Sequence, residues 1–182
     1  GDNLETQTIR EILSSLEKIH LHTLQIETSI HQVPDWILPR GAQLEKEKVL
    51  EKLQAFLAIS EDMKTLRVAF DNLVKNKERV LILLQNENEI RPTGGFVGSF
   101  ILVDLNDEKV DWRFSDIYAL DRKVPVEKLI PAPEFFHGLS QNISLRDANF
   151  WPHFPTSAKM YIRFFNAAEE PPPSTILAIN LS

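Results

Sequence analysis

The chain has 182 residues, 43% of them hydrophobic, enough to bury one generous domain or two small ones and to exclude a disordered chain. Twenty Lys and Arg against 26 Asp and Glu give a formal charge of -6, which excludes a general attraction to nucleic acid or anionic lipid. Cysteine is absent, which removes disulfides, thiolate nucleophiles and Cys-ligated zinc, and no apolar run approaches the roughly 20 residues a membrane span needs.

Ile9, Ile12, Leu16, Ile19, Thr23, Ile26 and Ile30 alternate spacings of three and four, the signature of a long amphipathic helix with one apolar seam. A second seam runs through Val49, Leu53, Phe56, Ile59, Met63, Leu66, Phe70 and Leu73, with Glu45, Lys46, Glu47, Lys48, Glu51 and Lys52 on the other faces. Pro34, Pro39 and Gly41 interrupt the stretch between them. The spacing predicts two antiparallel helices burying both seams, a helical hairpin over residues 1–78 that serves as a stalk or interaction segment. The same seam can pair between chains, so a homo-oligomer through the hairpin is also expected. His20, His22 and His31 read as surface residues, because a 20/22 pair points to different sides of a helix.

At Arg79 the period changes and an α/β domain is expected over 79–182. RVLILLQN is a continuous apolar run, expected as a strand central in its sheet and buried on both faces. FVGSFILVDL and KVDWRFSDI follow as a hairpin across Asn106, Asp107 and Glu108, with Val110, Trp112 and Phe114 alternating with Asp111, Arg113 and Ser115. Between Tyr118 and Pro155 the prolines 125, 131, 133, 152 and 155 break every regular pattern, and a loop this long is functional or packed by its own side chains. Thr156 or Ser157 is expected to cap a helix running to about Ala168, and PPPS leads into TILAINLS, an apolar strand expected to be buried. The expected fold class is α/β: a long helical hairpin, then a mixed sheet layered with helices, incomplete at the C-terminus because a buried last strand asks for a neighbour.

Gly94, Gly95 and Gly98 follow a strand and a proline, where backbone N–H groups can approach an anion or carbonyl. A nucleotide cradle is excluded, since no Lys-Ser/Thr ends the segment and it leads into a strand instead of a helix N-terminus. A tight strand-to-strand turn is the plainer reading. In SLRDANFWPHFPTSA, Arg146, Asp147 and Asn149 precede Phe150, Trp151 and Phe154, either as an Arg–Asp pair pinning a loop or as groups facing a sugar or phosphate. Ser99 lacks a G-x-S-x-G elbow, His137 and His153 are tied by spacing to no Ser or Asp, and Glu87 and Glu89 read as solvated loop acids. The candidate ligand-binding residues are Arg91, Thr93, Gly94, Gly95, Asp116, Arg146, Asp147 and Asn149, with no catalytic residue, cofactor or metal site assigned.

LLQNENEIRPTGGFVGS followed by LRDANFWPHFPTSA closely resembles the paired signatures of a bacterial family catalogued as domain of unknown function 4012, and the order of helices, strands and the TILAIN strand fits it too. The resemblance implies a membrane-anchored, extracytoplasmic envelope module, with a transmembrane helix N-terminal to this chain and a continuation after its last strand. More distantly, the series RVLILLQN, hairpin, KVDWRFSDIYALD and TILAIN is similar to the LytR-CpsA-Psr envelope proteins, which transfer glycopolymers from polyprenyl-pyrophosphate lipids. That resemblance implies Arg91, Arg113, Asp116 and the Arg146–Asp147 pair around a diphosphate with Mg²⁺. The chain departs from the pattern where Ser115, Asp116, Ile117 and Tyr118 replace an Arg-Asp-Thr step, with Arg113 and Arg122 out of register. Two functions follow: a module that binds or scaffolds cell-wall or surface glycopolymer, or a glycopolymer phosphotransferase using a lipid-linked phosphate substrate. In the first, Arg91 and Arg146 should be held by carboxylates and carbonyls. In the second, they should converge on one open cleft.

Overall fold

The computed structural model describes residues 2–134, 137–138 and 140–181. The chain forms two compact units, Glu5–Lys75 and the part from Asn76 onward, which includes the strand residues before Glu5.

The helical unit holds α1 (Thr6–His31), α2 (Arg40–Ser60) and α3 (Met63–Lys75), with α1 packed against both others. The second arm of the expected hairpin is therefore two helices. At the break, Ser60 donates its hydroxyl to the Phe56 carbonyl, a side-chain bond that competes with the helix ladder. The seams follow the expected faces in part: Ile9, Leu16, Thr23 and Ile30 of the first and Leu53, Met63, Phe70 and Leu73 of the second are half-buried or buried. Ile12, Ile19, Ile26 and Val49 are about half exposed and Ile59 is largely exposed, while Leu50 and Leu57 join Leu53 as half-buried residues of α2. Polar pairs also join the helices: Arg10 pairs with Asp71 at 2.8 Å, Arg67 with Glu17 at 2.9 Å, and His20 Nδ1 lies 2.7 Å from Ser60 Oγ. His20 is thus a half-buried partner between helices, whereas His22 and His31 are exposed.

The second unit carries a five-stranded sheet of β1 (Asp2–Glu5), β2 (Arg79–Asn86), β3 (Phe96–Leu105), β4 (Lys109–Asp116) and β7 (Thr175–Asn180), in the order β1-β4-β3-β2-β7. β2 runs antiparallel to β3 and parallel to β7, which makes the sheet mixed. Gly98 is an extra residue in β3: Leu84 pairs with Ser99 and Gln85 with Val97, so the bulge lets the strand bend just where the glycine turn begins. The long irregular segment contains α4 (Ile117–Asp121) and a two-residue antiparallel ladder of β5 (Ile130–Pro131) with β6 (Asn142–Ile143). α5 (Phe154–Ala167) starts earlier than expected, at His153, and Ser157 is buried with its hydroxyl on the Trp151 carbonyl instead of capping.

One face of the sheet is the core. Leu81 and Leu83 of β2 and Phe100 and Leu102 of β3 pack with Ile117, Leu120, Ile143, Leu145, Tyr161, Phe164 and Phe165, all nearly or fully buried. Phe100 meets Phe165 edge-on at 6.0 Å. The opposite face aligns Ile82, Ile101 and Phe114 across three strands, and Phe114 there is 61% exposed. β2 is therefore interior to the sheet as expected, but its second face is only half-buried. β7 differs more from expectation: it is an edge strand, and Leu177 and Ile179 are exposed because only β2 pairs with it.

Behind α5, Glu170 accepts from Lys123 at 2.6 Å and from Arg113 at 3.1 Å, and these cations hold its carboxyl below the usual carboxylate range. A depressed folded-state pKa contributes stability that is present above the unfolded value and is lost as pH falls through the folded one. Glu170→Gln should therefore lower stability at neutral pH by roughly 1 kcal/mol, since both cations are half exposed. The gap to the unsubstituted chain should close as pH drops below the ordinary carboxyl value of 4.5, which urea melts at neutral and acidic pH would check.

Candidate functional site

The site is built from two loops. The first leaves the end of β2 and returns at Phe96, whose N–H donates to the Glu89 carbonyl, while the Gly94 N–H donates to the Arg91 carbonyl. Gly94 has φ 132°, and a side chain there would meet Gln85 Oε1 at 3.0 Å and Asn180 Oδ1 at 3.1 Å. A Cβ on Gly95 would lie 2.4 Å from the Asn86 carbonyl oxygen. Both glycines are thus required by the turn itself. Thr93 accepts at its hydroxyl from the buried Gln85 amide, 2.9 Å away, which closes the turn onto the strand end.

The second loop is a 3-10 turn over Leu145–Asp147 leading to the buried Asn149. Asn149 Nδ2 donates to the Gly95 carbonyl at 2.7 Å, which ties the loops together. Above that link, Asp147 stands between the two arginines. Arg91 Nη1 lies 3.5 Å from Asp147 Oδ1, and Arg91 Nη2 donates to Glu89 at 2.9 Å. Arg146 Nε lies 3.9 Å from Asp147 Oδ2, and its Nη1 lies 3.9 Å from Asp121 Oδ2. Each guanidinium also sits over an aromatic ring, Arg91 on Phe96 at 5.2 Å and Arg146 on Tyr118 at 5.4 Å. Asp121 accepts from the Leu145 N–H at 2.8 Å and Asp147 from the Ser144 hydroxyl at 2.7 Å, so one carboxylate fixes the backbone of the second loop and the other a side chain of it.

Among the described residues, Tyr161 Oη and Asn149 Oδ1 are buried without a hydrogen-bond partner. Burial, reinforced by the Asp147 carboxylate and opposed by Arg91, raises the Tyr161 pKa, so the phenol stays protonated. Buried polar atoms of this kind are where ordered water or a ligand group is usually held.

The structure brings together Arg91, Arg146 and Asp147, with Asn149, Gly94, Gly95 and Thr93 as the frame of the two loops. Asp116 stands apart as the N-cap of α4, accepting from the Tyr118 N–H at 2.6 Å, and reaches the cluster only through the helix that carries Tyr118 and Asp121. Arg113 is engaged by Glu170. His137 lies against the Ala132 carbonyl and His153 against Thr156. Sequence reasoning did not single out Asp121, Tyr118, Tyr161 or Gln85, and took Glu89 for a solvated acid. No spacing marks these residues, since the two helices, the strand and the loop that carry them meet only in the fold.

Two guanidiniums face three carboxylates, so the cluster carries no surplus positive charge. Among the described residues, no three His, Asp or Glu side chains come together as a metal-binding group. No helix of the described residues is long and apolar enough to cross a membrane. What the loops present is Arg146, 45% exposed, on the face of the partly exposed Tyr118: planar donors beside an aromatic ring.

No curated protein and no solved structure matches the chain. A family match covers residues 75–181, which take in strands β2 to β7 and both site loops. On that match the chain belongs to the family described as "Protein of unknown function (DUF4012)".

Proposed function

We propose that this chain is part of a membrane-anchored, extracytoplasmic bacterial envelope module that binds or scaffolds a cell-wall or surface glycopolymer at the two loops. The observation that carries the reading is the charge balance of the cluster: Glu89, Asp147 and Asp121 already engage Arg91 and Arg146. A site for a diphosphate needs spare positive charge, whereas a polyhydroxylated chain needs planar donors, acceptors and an aromatic face, the groups offered by Arg146, Asp121 and Tyr118. The envelope setting rests on the family resemblance, through the membrane helix its members carry. The phosphotransferase reading is second, favoured by the convergence of both arginines on Asp147.

Calorimetric titration separates them. Soluble wall glycan should bind saturably and lose affinity about tenfold on Tyr118→Ala or Arg146→Ala, a loss of about 1.4 kcal/mol. A short-chain polyprenyl-pyrophosphate analogue with Mg²⁺ that binds instead, and is released by Arg91→Ala and Arg146→Ala in folded protein, overturns the glycan reading in favour of the transferase.

A further inference from the structure

The two-loop cluster has an excess of negative charge and an excess of acceptors. Glu89, Asp121 and Asp147 face Arg91 and Arg146, one carboxylate more than the guanidiniums neutralise. Widening the count keeps the excess: the first loop adds Glu87, and α4 adds Asp116 at one end and Arg122 at the other, which cancel. Lys123, the next cation along, is engaged by Glu170 at 2.6 Å.

The arginines do not fill the acceptors. A charge-assisted N–H···O bond is about 2.7–2.9 Å long, whereas Arg91 lies 3.5 Å from Asp147 Oδ1, and Arg146 lies 3.9 Å from both Asp147 Oδ2 and Asp121 Oδ2. The Ser144 hydroxyl and the Leu145 N–H donate to Asp147 Oδ2 and Asp121 Oδ1, which leaves Asp147 Oδ1 and Asp121 Oδ2 without a bond that short. Asn149 shows the same surplus independently of charge. It is 1% exposed, its Nδ2 donates to the Gly95 carbonyl in the seam between the loops, and its Oδ1 has no donor. A buried acceptor in that state costs free energy until a donor reaches it. Asp147 and Asp121 are 14% and 12% exposed, so a ligand group can reach the carboxylates from outside.

We infer that the glycan bound at the two loops carries free amino groups, and that a protonated amine is seated by Asp147 and Asp121. A primary ammonium brings three donors, no acceptor and one positive charge, which is what the cluster lacks. An N-acetyl group in its place is neutral and brings one N–H together with a carbonyl that these acceptors cannot serve. The exposed guanidinium of Arg146 and the Tyr118 ring remain for the sugar hydroxyls and the ring face. The inference rests on the glycopolymer reading and narrows it to a substrate class.

The test is calorimetric titration of the chain with one soluble wall glycan before and after chemical N-deacetylation. The deacetylated form should bind at least about tenfold tighter, and added salt should shrink that advantage. Re-acetylating the same sample should abolish it. Asp147→Asn, shown to be folded by circular dichroism, should remove most of the difference between the two forms. Tyr118→Ala should weaken both forms alike, because it removes a ring and no charge. Equal affinity for the two forms, or tighter binding of the acetylated one, overturns the amine inference and leaves the glycopolymer reading standing. An advantage that Asp147→Asn leaves intact overturns the seat assigned to the amine. Binding of neither form to folded protein overturns both the inference and the reading it rests on.

Discussion

Gly95→Ala should cost the sheet unit at least about 3 kcal/mol or prevent its folding, the upper end of what a core clash does. The added methyl would stand 2.4 Å from the Asn86 carbonyl oxygen, 2.5 Å from its carbon and 2.9 Å from the Glu87 nitrogen. None of these atoms is the end of a flexible side chain. Moving the Asn86–Glu87 peptide breaks the Glu89 N–H bond to Asn86 and the Asn86–Phe96 pairing. Moving Gly95 instead pulls its carbonyl off the buried Asn149 amide. Gly98→Ala is the control: its methyl would meet only the Phe96 ring at 3.6 Å, an ordinary contact, and should change stability by less than about 1 kcal/mol. Urea unfolding followed by circular dichroism reads both, and equal effects would sink the argument that the turn is set by close backbone approach.

The same turn shows what a sequence can carry. Two glycines after a strand and a proline are a local signal, because the turn forces the residue type within a few positions. Strand β2 was legible for a similar reason, as an apolar run without helical period places the chain inside a sheet. The seams of α1 and α2 were legible in period and only partly in phase. Leu16, Thr23 and Ile30 turn inward as the seam has it, but Ile12, Ile19 and Ile26 look outward while His20 and Ser60, outside the seams, bond to each other between the helices. Periodicity counts apolar residues and is blind to which polar ones find partners.

Edges are invisible for another reason. TILAIN reads as buried because its side chains are apolar, but burial depends on whether a strand has one neighbour or two, a property of topology. The alternation of Trp112 and Phe114 in β4 likewise names a face without saying whether anything covers it. The site was half legible. Arg146, Asp147 and Asn149 stood out as a polar island before aromatics, yet the residues that complete them come from elsewhere. Asp121 lies 24 positions before Leu145, whose N–H it accepts, and Gly95 lies 54 before Asn149. No local pattern encodes pairings of that span.

Asp147→Ala should be the most damaging change within the polar cluster. Its carboxylate receives Ser144 Oγ and stands between Arg91 and Arg146, and its side chain is 14% exposed against 22% for Arg91. Removal leaves Glu89 as the one carboxylate on Arg91 and Asp121 as the one on Arg146, with side-chain exposures of 22% and 52% in the first pair and 45% and 12% in the second. Losing one partner of a half-buried cluster costs about 2–3 kcal/mol, because the remaining guanidiniums keep their desolvation and lose their compensation. Arg146→Ala should cost less than about 1 kcal/mol, since that side chain is 45% exposed and its contacts are 3.9 Å long. The charge effect has the opposite sign for ligands. With Asp147 gone, two guanidiniums face two carboxylates, so sulfate should raise the melting temperature of Asp147→Ala more than that of the unsubstituted chain. Asp147→Asn keeps the Ser144 contact and removes only the charge, so it should recover part of the stability while retaining the sulfate response. If thermal melts show Asp147→Ala as stable as its parent and indifferent to sulfate, the carboxylate is not what balances the arginines. The charge argument against a diphosphate at these loops then loses its basis.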